Sequence, residues 1–210
     1  MQSERGLRRL VNFADAVVAI AITLLVLPLV DAAGDIGSAG VATFLGDNKT
    51  KLLAFLLSFV VIGRFWWGQH QMFERVISYN SFLVGSTFLW LLSIVFLPFP
   101  TELLSASQGG GQADTHALYV GTLLLASLAA LGQKFCVVHW PQLQGEEQRG
   151  TPSMDTAVIL VVLMAIAMVI AVITPSQGMW ALLLLLLSTP AERLFTSWRV
   201  RSMRKSLPIG

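Results

Sequence analysis

The chain has 210 residues, of which 55% are hydrophobic and only 12% charged, with a formal net charge of +2 and a mean hydropathy of +0.70. A water-soluble domain of this length has too little interior to hide that much apolar surface, so lipid must solvate a large part of it. The small positive charge, with no long basic run interleaved with aromatics, argues against a nucleic-acid partner, and the single cysteine, Cys136, cannot close an intrachain disulfide and reads as a small core residue.

Arg5, Arg8 and Arg9 precede an apolar stretch that contains Asp15 and runs to Pro28 and Leu29. Basic residues ahead of an apolar run are also how a secretory leader begins. The internal Asp15, and Asp31 in place of a small-residue cleavage site, favour a retained first helix instead. With about 20 apolar residues needed per crossing, six spans fit into a single transmembrane domain over residues 1–210: about Leu7–Val30, Lys51–Phe73, Ser81–Leu104, Thr115–Val138, Met154–Ile173 and Met179–Arg199. The predicted fold is an all-α integral membrane protein. Breakers separate the spans: Gly34, Gly37 and Gly40 open the first connection, Gly109 to Gly111 form the third, Pro141 to Pro152 is polar, and Thr174-Pro175-Ser176 makes a tight turn. A short stretch around Ser78–Asn80 makes the second and third spans an antiparallel hairpin.

A cytoplasmic N-terminus puts 12 of the 14 basic residues on or near that side, leaving only Lys49 and Lys51 opposite. The positive-inside rule then predicts both termini in the cytoplasm of a multi-pass protein. Asp31, Asp35, Asp47, Glu102 and Asp114 collect on the far side. Such a bias is either ordinary solvated loop or a field that enriches cations near a mouth.

The first span carries the most chemistry. Asp15 sits about two turns inside the apolar run, where an unpaired carboxylate costs roughly 2.5–3.5 kcal/mol on insertion scales. Its possible partners are Arg8, two turns earlier on the same face, Arg9 across a helix contact, and His70 at similar depth in the second span. A structural clasp between the two spans and a proton-sensing or gating group are both open readings of that cluster. Ala16, Ile20, Thr23 and Leu27, spaced four, three and four apart with Leu24 beside them, form one helical stripe. On one helix alone this is core packing. Repeated around an axis, the stripe makes an apolar constriction at Ile20, a hydroxyl ring at Thr23 and apolar rings at Leu24 and Leu27. Pro28 removes a backbone donor near the outer end, where the helix should end or bend.

Arg9, Phe13, Ala14 and Asp15, followed by the run Ala19 to Leu27, resemble the Arg-xxx-Phe-Ser-Asp signature that opens the transmembrane protein 175 family of lysosomal and endosomal potassium channels, in its six-helix bacterial form. Trp66 or Trp67 with His70, then Trp90 and Phe96-Leu97-Pro98-Phe99-Pro100-Thr101, are similar to later motifs of that family. The resemblance spans about residues 5–104. It implies a homotetrameric potassium channel of the cell membrane, with potassium as the permeant ion, no other metal and no cofactor. It further implies that the first helices line the pore, that Ile20, five residues after Asp15, is its narrowest point, and that Thr23, Leu24 and Leu27 form neighbouring layers. Arg9, Asp15, Trp67 and His70 are implied as an interhelical polar network. Two departures stand out: Ala14 replaces the signature serine, and Leu91 or Leu92 stands where an asparagine is often found.

The remaining polar and aromatic residues have plainer readings. His139 before Pro141 is interfacial, His116 is solvated in an outer loop, and Trp66, Trp67, Trp140, Trp180 and Trp198 suit membrane-interface belts. The Leu182–Leu187 run suits a lipid-facing or packed surface. No enzyme is expected, because His70, His116 and His139 lie on different segments and no nucleophile with its base occurs. Alternatives to a passive channel are a proton-coupled secondary transporter, which lacks visible inverted repeats, and a non-conducting membrane scaffold.

Overall fold

A computed structural model describes residues 4–34, 40–106 and 112–145, with isolated helical positions at 158, 161–162 and 165–166. Among the described residues, four stretches are long and apolar enough to cross a bilayer: Glu4–Gly34, Lys49–Phe73, Ser81–Ala106 and Asp114–His139. They fall where the first four spans are predicted. The last two predicted spans, Met154–Ile173 and Met179–Arg199, lie outside the described residues apart from those isolated positions.

Two of the four crossings are built from a pair of helices. The first comprises α1, Glu4–Leu24, and α2, Leu27–Gly34. Pro28 cannot donate to the Leu24 carbonyl four residues back, and the chain responds by tightening: the Leu25 amide bonds the Ile22 carbonyl at 3.3 Å and the Val26 amide bonds that of Thr23 at 3.4 Å. The first connection then carries a short helix, α3, Val41–Asp47, where the glycines alone suggest only a loop. Helix α4, Lys49–Phe73, is uninterrupted. The third crossing comprises α5, Ser81–Phe96, and α6, Pro98–Ala106. Its joint repeats the first: Pro98 lacks the donor for the Ile94 carbonyl, which accepts from Leu97 at 3.2 Å instead. The fourth crossing is α7, Gln112–His139.

Helix α5 starts sharply because the Asn80 side chain accepts from the Leu83 amide at 2.8 Å, an N-cap that satisfies one of the free donors. The same carboxamide oxygen accepts from the buried Cys136 thiol at 3.3 Å, fixing the start of α5 to the end of α7. Beside it, the loop after α4 and the segment after α7 are laced together: Ile77 donates to Leu143 at 2.8 Å, and Val76 and Gln144 form an isolated antiparallel bridge. Tyr79 from that loop crosses α1 so closely at Gly6 that a Cβ there would collide with its ring.

The main core joins Ala14, Val18, Ala21 and Leu25 of the first crossing to Ile62 and Phe65 of α4, Trp90 and Ile94 of α5, and Tyr119 and Leu123 of α7. Buried hydroxyls and amides add directional contacts within it. Ser58 Oγ lies 2.9 Å from Thr101 Oγ1 and 3.1 Å from the Tyr119 hydroxyl, connecting α4, α6 and α7. Thr87 Oγ1 donates to the Leu83 carbonyl and accepts from Gln133 Nε2 at 3.2 Å, connecting α5 and α7. In hydrocarbon, small residues and such hydrogen bonds hold helices together, since apolar contact alone gives no preference for protein over lipid. The outward faces stay greasy: Leu53, Leu56, Phe59 and Val60 on α4, and Phe88, Leu92 and Val95 on α5, are all exposed. Patches of that extent suit an acyl-chain surrounding.

Candidate functional site

Helix α1 has two unlike apolar faces. Leu7, Ala14, Val18 and Ala21 are buried against the rest of the subunit. The small side chains among them let α1 lie close to α4 and α5. The opposite face, which the other described residues leave bare, carries most of the stripe singled out in the sequence: Ile20 is 60% exposed and Leu24 39%, with Ala16 and Thr23 exposed beside them, while Leu27, 49% exposed, follows on α2 beyond the joint. A helix that packs one apolar face and leaves an equally apolar face bare has either lipid or further protein on its bare side.

Thr23 donates its hydroxyl proton to the Ile20 carbonyl at 2.8 Å. Its proton is thus satisfied within the helix, and the oxygen lone pairs remain on the exposed side, available to a cation as a partial substitute for hydration water. Back-bonding of this kind also favours a bend, and the joint at Leu25 and Val26 follows directly.

On its other side α1 holds Asp15, half-buried, whose Oδ1 accepts from the Trp66 indole N–H at 2.8 Å. That bond joins α1 to α4 inside the apolar region. His70 stacks on Trp66 with ring centroids 5.4 Å apart and planes 21° apart, and its Nε2 lies 3.3 Å from Glu74 Oε1. It therefore supports the indole from behind and makes no direct bond to Asp15. Of the adjacent tryptophans, Trp66 reaches the carboxylate, whereas Trp67 is 50% exposed and meets His70 only through a tilted ring contact at 5.8 Å. Arg9 is exposed and forms no ion pair with Asp15. Arg8 pairs instead with Glu4 at 3.3 Å, a solvent-exposed pair that contributes little. Of the expected Arg9, Asp15, Trp67 and His70, the structure brings together only Asp15 and His70, and does so through Trp66, which stands where Trp67 was expected; Arg9 and Trp67 lie on the subunit surface.

Sequence reasoning did not anticipate the Ser58, Thr101 and Tyr119 hydroxyl cluster behind the outer half of α1. All three residues are buried. The available signal was their occurrence as lone hydroxyls in three apolar segments at comparable depth.

Residues 9–98 match the family described as endosomal/lysosomal potassium channel TMEM175. That stretch holds Asp15, Trp66, His70 and the whole exposed stripe of α1. A potassium channel of Streptomyces collinus is 33% identical over 58% of this chain and 58% of its own length. Another from Chamaesiphon minutus is 36% identical over 60% of this chain and 63% of its own. The crystal structure of a lysosomal potassium-selective channel TMEM175 homolog from Chamaesiphon minutus superposes with a TM-score of 0.73, covering 89% of this chain and 98% of that one at 23% identity. Residues 9–98 of this chain, less than half of its length, are thus similar to the TMEM175 family. The sequence alignments cover less than two thirds of the named relatives, and at 23% identity the structural likeness establishes the fold of a TMEM175 protein. The hydrogen bond from Trp66 to Asp15 and the bare face of α1 both lie inside the matched stretch.

Proposed function

We propose that this chain forms a potassium-permeable cation channel in the cell membrane, with four copies arranged so that their α1 helices surround the conduction path. Ile20 is the narrowest ring, Thr23 supplies hydroxyl oxygens next to it, and Leu24 and Leu27 continue the wall outward. The observation that carries this reading is the uncovered apolar face of α1 with Ile20 at its centre, 60% exposed while the opposite face is packed. Its relatives bear the name potassium channel, which favours an ion over lipid as what that face meets. Such a path works passively: apolar rings exclude water until an ion enters, and Thr23 offsets part of its dehydration. Asp15 and Trp66 stand on the other side of α1 and act by holding the helix, not by touching the ion. Both termini are assigned to the cytoplasm on the distribution of basic residues.

Purified protein in liposomes tests the reading. It should dissipate a potassium gradient in the absence of a proton gradient, and Ile20→Asn should raise the flux and weaken discrimination against sodium in mixed-ion reversal potentials. Flux locked to countertransported protons would replace the channel by a transporter. A folded protein without flux at any potential would leave only a scaffold. Native mass measurement should find four chains of 22.9 kDa.

A further inference from the structure

Helix α2 follows α1 beyond the joint at Leu25 and Val26 and carries Leu27, the last apolar residue of the stripe. Leu27 and Asp31 are four residues apart in one uninterrupted helix, so their side chains stand on the same side, about 6 Å apart along the axis. Val30 and Asp31 are both exposed, whereas Pro28, Leu29 and Ala32 are partly covered. The Asp31 carboxylate makes no hydrogen bond or ion pair among the described residues. No basic residue of α1 beyond Arg9, and none of α2, lies near it in sequence to neutralise it.

We infer that Asp31 sets the rate at which cations enter the conduction path from its outer end: one carboxylate per subunit, a turn beyond Leu27, makes a ring of negative charge that concentrates monovalent cations at the mouth. This deepens the channel proposal and rests on it. An acidic ring over a low-dielectric wall focuses the field and raises the local cation concentration severalfold or more. The effect must fade with salt, because the screening length falls from about 30 Å at 0.01 M to about 3 Å at 1 M. It also acts on one end only, so ions arriving from the α2 side gain and ions arriving from the Arg5, Arg8 and Arg9 side do not.

Single-channel recording in symmetric potassium chloride tests this. At about 10 mM, Asp31→Asn should lower current entering from the α2 side by roughly 2–5-fold and leave the opposite current nearly unchanged; at about 1 M the two proteins should converge. Asp31→Glu should behave as the parent. Asp47→Asn, which removes an exposed carboxylate from the end of α3, should have no such effect. Charge can also be changed after assembly: Asp31→Cys should gain current with an anionic thiosulfonate and lose it with a cationic one, while Cys136 is buried and silent. Salt-independent loss, or equal loss in Asp47→Asn, would overturn the role of Asp31 while leaving a working channel. Absence of current in the parent protein would instead remove the channel reading beneath it.

Discussion

Asp15 tolerates its apolar surroundings because one particular indole reaches it. Trp66→Phe keeps most of the ring volume but removes the donor, so it should destabilise the fold by about 1–3 kcal/mol, the usual cost of stranding a polar partner. Trp67→Phe, on the exposed side of α4, should cost well under 1 kcal/mol. Thermal unfolding of the two variants in the same detergent checks the difference. The acid itself was plain in the sequence, since a lone carboxylate inside an apolar run demands a partner. Which partner was not, because Trp66 and Trp67 are consecutive, lie about 100° apart around α4, and offer the same chemistry. Arg9 was the more obvious electrostatic candidate, yet near the end of α1 it is exposed and forms no pair with Asp15. Gly6 gives a second single-residue test: Gly6→Val places side-chain atoms inside the Tyr79 ring, and should lower the unfolding temperature by several degrees, as overpacking does.

Among the elements, the proline-broken crossings show what an amino-acid pattern can and cannot convey. A bend near Pro28 follows from the missing donor, and span positions follow from the bilayer thickness, so both were legible. The hydroxyl cluster was not. A lone serine or threonine in a membrane helix can satisfy itself on a carbonyl three or four residues back, as Thr122, Ser93 and Ser127 do. Nothing in one sequence distinguishes those from Ser58, which reaches across to α6 and α7. A double-mutant cycle of Ser58→Ala and Tyr119→Phe, read by unfolding free energy, should yield a coupling of about 0.6 kcal/mol and no more than about 1.7 kcal/mol, the range for interhelical hydrogen bonds in lipid. Thr122→Val, whose hydroxyl bonds only within α7, should show no coupling to Tyr119→Phe.

For the molecule as a whole, composition alone required a membrane, and the four described crossings stand where the apolar windows put them. The proposed orientation rests on charge: Arg5, Arg8 and Arg9 precede the first crossing, while Lys49 and Lys51 follow the first connection. A cysteine placed at Asp47 should therefore react with a membrane-impermeant thiol reagent on intact cells, and one placed at Gly145 only on inverted vesicles or permeabilised cells, against the silent background of the buried Cys136. What a single chain could not reveal is the covering of α1, because a face reserved for neighbouring copies and a face turned to lipid are written in the same apolar residues. The seam between the α4–α5 loop and the segment after α7 has its own meaning at this scale, since it closes one end of the subunit while the proline joints leave α2 and α6 as separate pieces at the other.

The rear of α1 carries a further consequence. Ala14, Val18 and Ala21 are buried behind it, so the volume added by a bulkier residue at Ala21 has to be taken up by its neighbours or by a shift of the helix itself. In the proposed tetramer, the bore is then calibrated by side chains that never meet an ion, much as the shim behind a bearing sets its clearance.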